Sequence, residues 1–144
     1  MIVKVKKLRD GAVLPRRGSA EAAGADLYAL LDAPITVAPG ETVLIPTGLS
    51  FELPAGYVGL VFARSSVATK RGLAPANKVG VIDSDYRGEL LVALHNHGAA
   101  PQTVTSLERI AQFVVVPYLA ADYVEADELT DTARGSGGFG STGI

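Results

Sequence analysis

Short β-branched or alternating apolar runs recur along this chain, at residues 35–37, 42–45, 49–53, 57–62, 90–94 and 112–116. Gly and Pro close each run, at positions such as Pro34, Pro39-Gly40, Pro46, Gly48, Pro54, Gly56, Gly72, Gly88, Gly98 and Pro117. Many short strands with turn residues at close intervals predict an all-β fold, a jelly-roll-like sandwich or barrel. The pattern allows one short helix, over residues 65–71, with Ser65 or Ser66 as its cap, Ala68 favouring it and Gly72 ending it. Residues 79–82 and 90–94 flank Ser84-Asp85 turn chemistry and are expected to form a hairpin. The pattern stops near Ala133: residues 134–144 carry five Gly around the single aromatic Phe139. Such a segment cannot offset its own ordering entropy. The expected organisation is a β domain over 1–132 and a flexible Gly-rich C-terminal arm over 133–144.

Composition narrows the class. With 144 residues, 48% hydrophobic and 19% charged, the chain suits one domain with its own core and is neither disordered nor membrane-spanning. No run reaches the ~18 to 20 apolar residues of a membrane helix. The start, Met1-Ile2-Val3-Lys4-Val5-Lys6, lacks the ordering of a signal peptide, so a cytoplasmic protein is expected. The absence of Cys removes disulfides, thiolate metal sites and Cys nucleophiles, leaving oxygen or His as metal donors. A net charge of -2 argues against a broad basic surface for duplex nucleic acid.

The most informative segment is Gly80-Val81-Ile82-Asp83-Ser84-Asp85-Tyr86-Arg87-Gly88-Glu89, which sets three acids, a Tyr and an Arg on a turn between apolar runs. Asp83 falls where the first run ends. The alternatives are a binding site or a capped hairpin with solvated acids. Ala63-Arg64-Ser65-Ser66 stands at the strand-to-helix junction, where a guanidinium, two hydroxyls and free backbone N–H groups suit phosphate; an N-cap beside a surface Arg is the plainer alternative. In Glu108-Arg109-Ile110-Ala111-Gln112, alternation places Ile110 and Gln112 on one face, and Gln112 needs either a ligand or a cross-strand hydrogen bond. The glycines after Arg134 let backbone N–H groups converge on an anion, although the segment lacks the Lys of a P-loop; it is otherwise a frayed end. His95-Asn96-His97 ends a strand without a third His, which disfavours a metal site.

Five segments together resemble the homotrimeric deoxyuridine triphosphatase (dUTPase) family, in family order: Ala23-Gly24-Ala25-Asp26-Leu27-Tyr28-Ala29; Ala63-Arg64-Ser65-Ser66 through Lys70-Arg71-Gly72; Asn77 with residues 79–89; Glu108-Arg109-Ile110-Ala111-Gln112; and residues 134–143. The fourth departs from the family pattern, with Leu107-Glu108 where Gly-Asp or Gly-Glu is usual. The resemblance implies hydrolysis of dUTP to dUMP and pyrophosphate, which limits uracil incorporation into DNA and supplies dUMP for dTMP synthesis. It implies Asp83 as the base activating a water for attack on the α-phosphorus. Asn77, Val81, Ile82, Tyr86 and Leu91 would form the uracil and deoxyribose pocket, with the Tyr86 ring excluding a 2′-OH. Arg64, Ser65, Ser66 and Gln112 would hold phosphates, and Arg134, Phe139, Gly140, Ser141 and Thr142 would close the site, Phe139 stacked on uracil. Mg2+ would be held by the phosphates and water rather than directly by protein ligands, with Asp26 supporting the hydrated metal or the site wall. The implied assembly is a homotrimer with shared sites, dUTP its ligand, without nucleic-acid or membrane partners. A dCTP deaminase, a nucleotide-sensing module without turnover and a purely structural β-trimer are the competing readings; Asp83 and the Gly-Phe-Gly arm weigh against the first two.

Overall fold

The computed structural model describes residues 1–138. Twelve strands and one helix run in the order β1 (Lys4–Lys7), β2 (Arg16–Arg17), β3 (Ala25–Tyr28), β4 (Ile35–Val37), β5 (Thr42–Pro46), β6 (Leu49–Glu52), β7 (Tyr57–Phe62), α1 (Ser65–Arg71), β8 (Leu73–Pro75), β9 (Gly80–Ile82), β10 (Leu91–Asn96), β11 (Gln102–Val104) and β12 (Arg109–Pro117). They form a five-stranded sheet ordered β2-β3-β12-β7-β9, a three-stranded sheet β5-β10-β8, and the two-stranded pairs β1-β6 and β11-β4. Every pairing is antiparallel. The all-β expectation holds.

Alternation builds the core. Along β10, Val92, Leu94 and Asn96 point inward while the residues between them are at least partly exposed, the period-two pattern of a strand with one buried face. Val92 and Leu94 join Leu27 and Phe113 from the five-stranded sheet, Ile45 from β5, Leu49 and Phe51 from β6, and Val37 and Val104 from the β4–β11 pair in one cluster. Asn96 is fully buried, yet its Nδ2 donates to the Val37 and Ala100 carbonyls, both at 2.9 Å, and its Oδ1 accepts from the Gly98 N–H at 2.9 Å. A buried amide so satisfied ties the end of β10 to β4. Gly59 on β7 is required for packing, since a Cβ there would collide with the Phe113 ring.

Three local expectations are corrected. The expected hairpin does not form: β9 pairs with β7 and β10 pairs with β5 and β8, in different sheets. Residues 83–90 are too long for a two-residue turn and instead cross from one sheet to the other. The α1 N-cap is Arg64, with extended dihedrals and no side-chain capping bond, so neither serine caps the helix. The register of β12 slips between Arg109 and Ala111, and Ile110 and Ala111 are both buried. That bulge interrupts the alternation, and Gln112 does not share the face of Ile110. Strand β12 ends at Pro117, and residues 118–136 beyond it are exposed. Gly72 does end the helix, in the left-handed conformation at φ 67°, with its N–H donating to the Ala68 carbonyl at 3.0 Å.

Candidate active site

The divergence of β9 and β10 makes the site. Because the two strands separate, their side chains line clefts: one bounded by Val81, Ile82, Asp83, Tyr86, Glu89 and Leu91, the next by Asn77, Gly80, Val81, Ile82 and Leu91. Asp83 and Tyr86 line the first of these, Asn77 the second, and Val81, Ile82 and Leu91 both. Exposure suits a ligand surface: Val81 is 61%, Tyr86 45% and Leu91 42% exposed. β9 is the edge strand of its sheet, and one side of an edge strand carries unpaired backbone N–H and C=O groups.

The loop carrying Asp83 is held by its neighbours rather than by a ladder. The Tyr86 N–H donates to the Asp83 carbonyl at 3.2 Å, and the Tyr86 hydroxyl donates to the Glu89 carbonyl at 3.0 Å. Arg87 Nη1 donates to the carbonyls of Ser84 at 2.7 Å and Tyr86 at 3.0 Å, so this cation serves the loop's own backbone. On the approach to β9, Lys78 lies at φ 65°, a conformation uncommon for a residue with a Cβ. Its Nζ sits 3.4 Å from His97 Nε2. His97 titrates below its ordinary range, first through desolvation, then through the Lys78 charge and His95. His95 Nδ1 pairs with the Thr42 hydroxyl at 2.8 Å. Among the described residues, no three His, Cys, Asp or Glu side chains converge as metal ligands.

A separate cleft, lined by Arg64, Ser66, Lys70, Arg71, Glu108 and Arg109, runs along α1 from its first turn to its last. Ser65 and Ser66 open the helix with exposed side chains, where the first backbone N–H groups have no intrahelical acceptor. Arg64 Nε donates to Asp26 Oδ1 at 2.6 Å, and Arg109 Nη1 donates to Asp26 Oδ2 at 3.2 Å. Asp26 is 15% exposed, so its carboxylate is a shielded anchor for two guanidiniums. Sequence reading connected Asp26 with the metal's water shell or the site wall. It missed the pairing with Arg64, which only the β3-β12-β7 order makes visible. Gln112 stands in register between Asp26 on β3 and Phe62 on β7, and its Nε2 donates to the Ala63 carbonyl at 2.9 Å, supporting the backbone just before Arg64. Gly24 is needed beside it, because a Cβ at that position would strike the Gln112 amide. Arg71 is committed elsewhere: it pairs with Glu108 and donates to Gln102 Oε1 at 3.1 Å and to the Thr103 carbonyl at 2.7 Å. Leu107, in the place of the usual Gly, adopts φ 65°.

The clefts beside β9 share no lining residue with the cleft along α1. Ile82 pairs with Gly59 on β7, so Asp83 lies near that strand's start, level with Val58, while Arg64 follows its end. From the Val58 level to Arg64 is six residues, roughly 20 Å at the strand rise. Arg64 also leans toward β3, about three strand spacings from β9, or ~14 Å across the sheet. Of the arm residues, Arg134 is described and its Nε donates to the Gly137 carbonyl at 2.8 Å; Phe139, Gly140, Ser141 and Thr142 lie outside the described residues. No helix among the described residues is long and apolar enough to cross a membrane.

Comparison with known proteins gives the family. The family model dUTPase matches residues 10–143. The deoxyuridine 5′-triphosphate nucleotidohydrolase of Desulfitobacterium hafniense is 55% identical over 132 residues, covering 91% of this chain and 87% of that one. The protein of the same name from Nautilia profundicola is 47% identical over 143 residues, covering 99% of both chains. Among solved structures, a variant of the Staphylococcus bacteriophage 80alpha dUTPase with dUpNHpp superimposes with a TM-score of 0.90 at 27% identity, over 99% of each chain. Matched in sequence over nearly its whole length and in fold throughout, this chain belongs to the dUTPase family.

Proposed function

We propose that this chain hydrolyses dUTP to dUMP and pyrophosphate, with Asp83 activating the attacking water. The observation that carries the assignment of the base is the placement of Asp83 at the end of edge strand β9, on the rim of a cleft whose other walls suit a nucleoside. Uracil enters against the backbone edge of β9, beside Asn77, Val81, Ile82 and Leu91. Cytosine, with a donor and an acceptor exchanged, leaves buried groups unpaired there, and such mismatches discriminate strongly. Thymine's methyl group meets the close backbone. The Tyr86 ring lies along the deoxyribose and leaves no room for a 2′-OH.

Asp83 takes a proton from a water whose oxygen bonds to the α-phosphorus, while the bond from that phosphorus to the bridging oxygen breaks, giving dUMP and releasing pyrophosphate. A carboxylate is a weak base for this task, so the rate rests on positioning and on neutralising the phosphates. Arg64, Ser65, Ser66 and Gln112 supply that neutralisation and hydrogen bonding, with Asp26 and Arg109 holding Arg64 in place. Mg2+ is expected to arrive with the nucleotide, since both Asp26 oxygens already hold guanidiniums; when bound it offsets triphosphate charge. Residues 133–144, with Arg134, Phe139, Gly140, Ser141 and Thr142, close over the nucleotide and exclude water.

The separation of Asp83 from Arg64 within one chain supports a shared site. An α-phosphate against Asp83 cannot have its neighbouring phosphates against Arg64 of the same chain. On this reading a second copy supplies Arg64, Ser65, Ser66 and Gln112, and the family resemblance implies that the copies form a cyclic homotrimer. Asp83→Asn tests the base: it keeps shape and polarity, so nucleotide binding should persist while kcat falls at least ~10²-fold. Near-normal turnover would assign the base elsewhere.

A further inference from the structure

Resting on the nucleoside pocket proposed above, we infer that Glu89 is a positioning residue, whose carboxylate ties the Asp83-bearing loop to the β5–β6 turn and thereby sets the Tyr86 gate. The loop needs such a tie because the strands at its two ends belong to different sheets and give it no ladder. Glu89 Oε1 accepts the Gly48 N–H at 2.7 Å. Gly48 is a fixed anchor: it sits at φ 69°, and a Cβ there would collide with Leu30 and come within 3.0 Å of the Ala12 Cβ. Neighbouring bonds make the turn a clamp. The buried Thr47 hydroxyl donates to the Leu90 carbonyl at 2.7 Å, the Leu90 N–H donates to the Leu49 carbonyl at 2.8 Å, and the Ser50 hydroxyl donates to the Arg87 carbonyl at 2.7 Å.

Glu89 and Leu90 both line the pocket, and of the two it is Glu89 that also bonds Tyr86. Its carbonyl accepts the Tyr86 hydroxyl, and it lines the same cleft as Asp83. The Tyr86 ring is also seated on Gly88, where a Cβ would run into the ring and its hydroxyl. Ring position therefore follows the backbone of residues 88–89, and that backbone follows the Glu89–Gly48 bond. A carboxylate facing a triphosphate site is electrostatically unfavourable unless its lone pairs are engaged; turned onto a backbone N–H it acts as an acceptor, a role Gln can also fill.

The test compares Glu89→Ala and Glu89→Gln for kcat/KM on dUTP and UTP, together with Gly48 amide hydrogen exchange in the free protein. Glu89→Ala should lower the dUTP to UTP ratio roughly tenfold and speed Gly48 exchange by a similar factor, the size of one hydrogen bond to a charged group. Glu89→Gln should recover most of both. Should Glu89→Ala fold poorly, Ser50→Ala loosens the same loop at Arg87 and should shift the ratio in the same direction by a smaller factor. An unchanged ratio in Glu89→Ala, or in Ser50→Ala where that variant is used, would overturn the inference, as would Gln as defective as Ala. Absence of dUTP hydrolysis by the unaltered chain would instead sink the functional reading, while Gly48 exchange would still report on the tie.

Discussion

If Asp83 and Arg64 of one site come from different copies, two inactive variants should repair each other. Asp83→Asn removes the base and Arg64→Ala removes a phosphate clamp held by Asp26. Each alone assembles into molecules without a complete site. The offset of roughly 20 Å along β7 and ~14 Å across the sheet excludes a same-chain combination. Mixed assemblies from unfolding and refolding the two variants together contain sites in which an Asp83-bearing chain faces an Arg64-bearing one. With equal amounts and random cyclic assembly, each requirement is met half the time, so about a quarter of the sites are native. Pyrophosphate release should rise to roughly a quarter of the unaltered rate per chain, from a background at least ~10²-fold below it. Refolding each variant alone gives the baseline. Recovery no greater than the sum of those baselines, with mixed assemblies verified by mass, would place both residues in one chain's site and refute the reasoning.

Truncation after Thr132 should leave folding and assembly intact and lower kcat at least ~10²-fold, since closure and phosphate contacts are lost together; unchanged dUTP turnover would make the arm dispensable. Leu107→Gly should stabilise the fold by up to about 1 kcal/mol, because left-handed dihedrals cost an L-residue ~1–2 kcal/mol while Gly loses ~0.5–1 kcal/mol in chain entropy. A lower urea midpoint would show that the half-exposed Leu107 side chain packs usefully. His97 titrates below its ordinary range when folded, so the unfolded chain takes up that proton first as pH falls. Stability should therefore drop from about pH 6.5 downward until the folded value is passed, and His97→Gln should flatten that part of the profile. Identical pH dependence of the urea midpoint in both proteins would contradict this.

The fold class and much of the pocket were legible because they are local. Strand β7 and helix α1 match the expected 57–62 and 65–71, and Asp83 and Tyr86 share a loop, so chain order alone places them near each other. What escaped reading depends on which strands become neighbours. β9 and β10 look like hairpin arms until each is found paired in another sheet. Asp26 and Arg64 are distant in sequence and meet across β12, and Glu89 finds the Gly48 amide only after the sandwich closes. Very short strands such as Arg16–Arg17 carry too few residues for a period to register. The bulge at Arg109 to Ala111 defeats alternation by re-aiming Gln112.

Pyrophosphate release from dUTP, dTTP, dCTP and UTP, measured side by side with Mg2+ on the unaltered chain, tests the central claim most directly. The account predicts rapid release from dUTP with dUMP as coproduct, and kcat/KM lower by orders of magnitude for the other three. Comparable turnover of dCTP or UTP, or release of single phosphate instead of pyrophosphate, would contradict it.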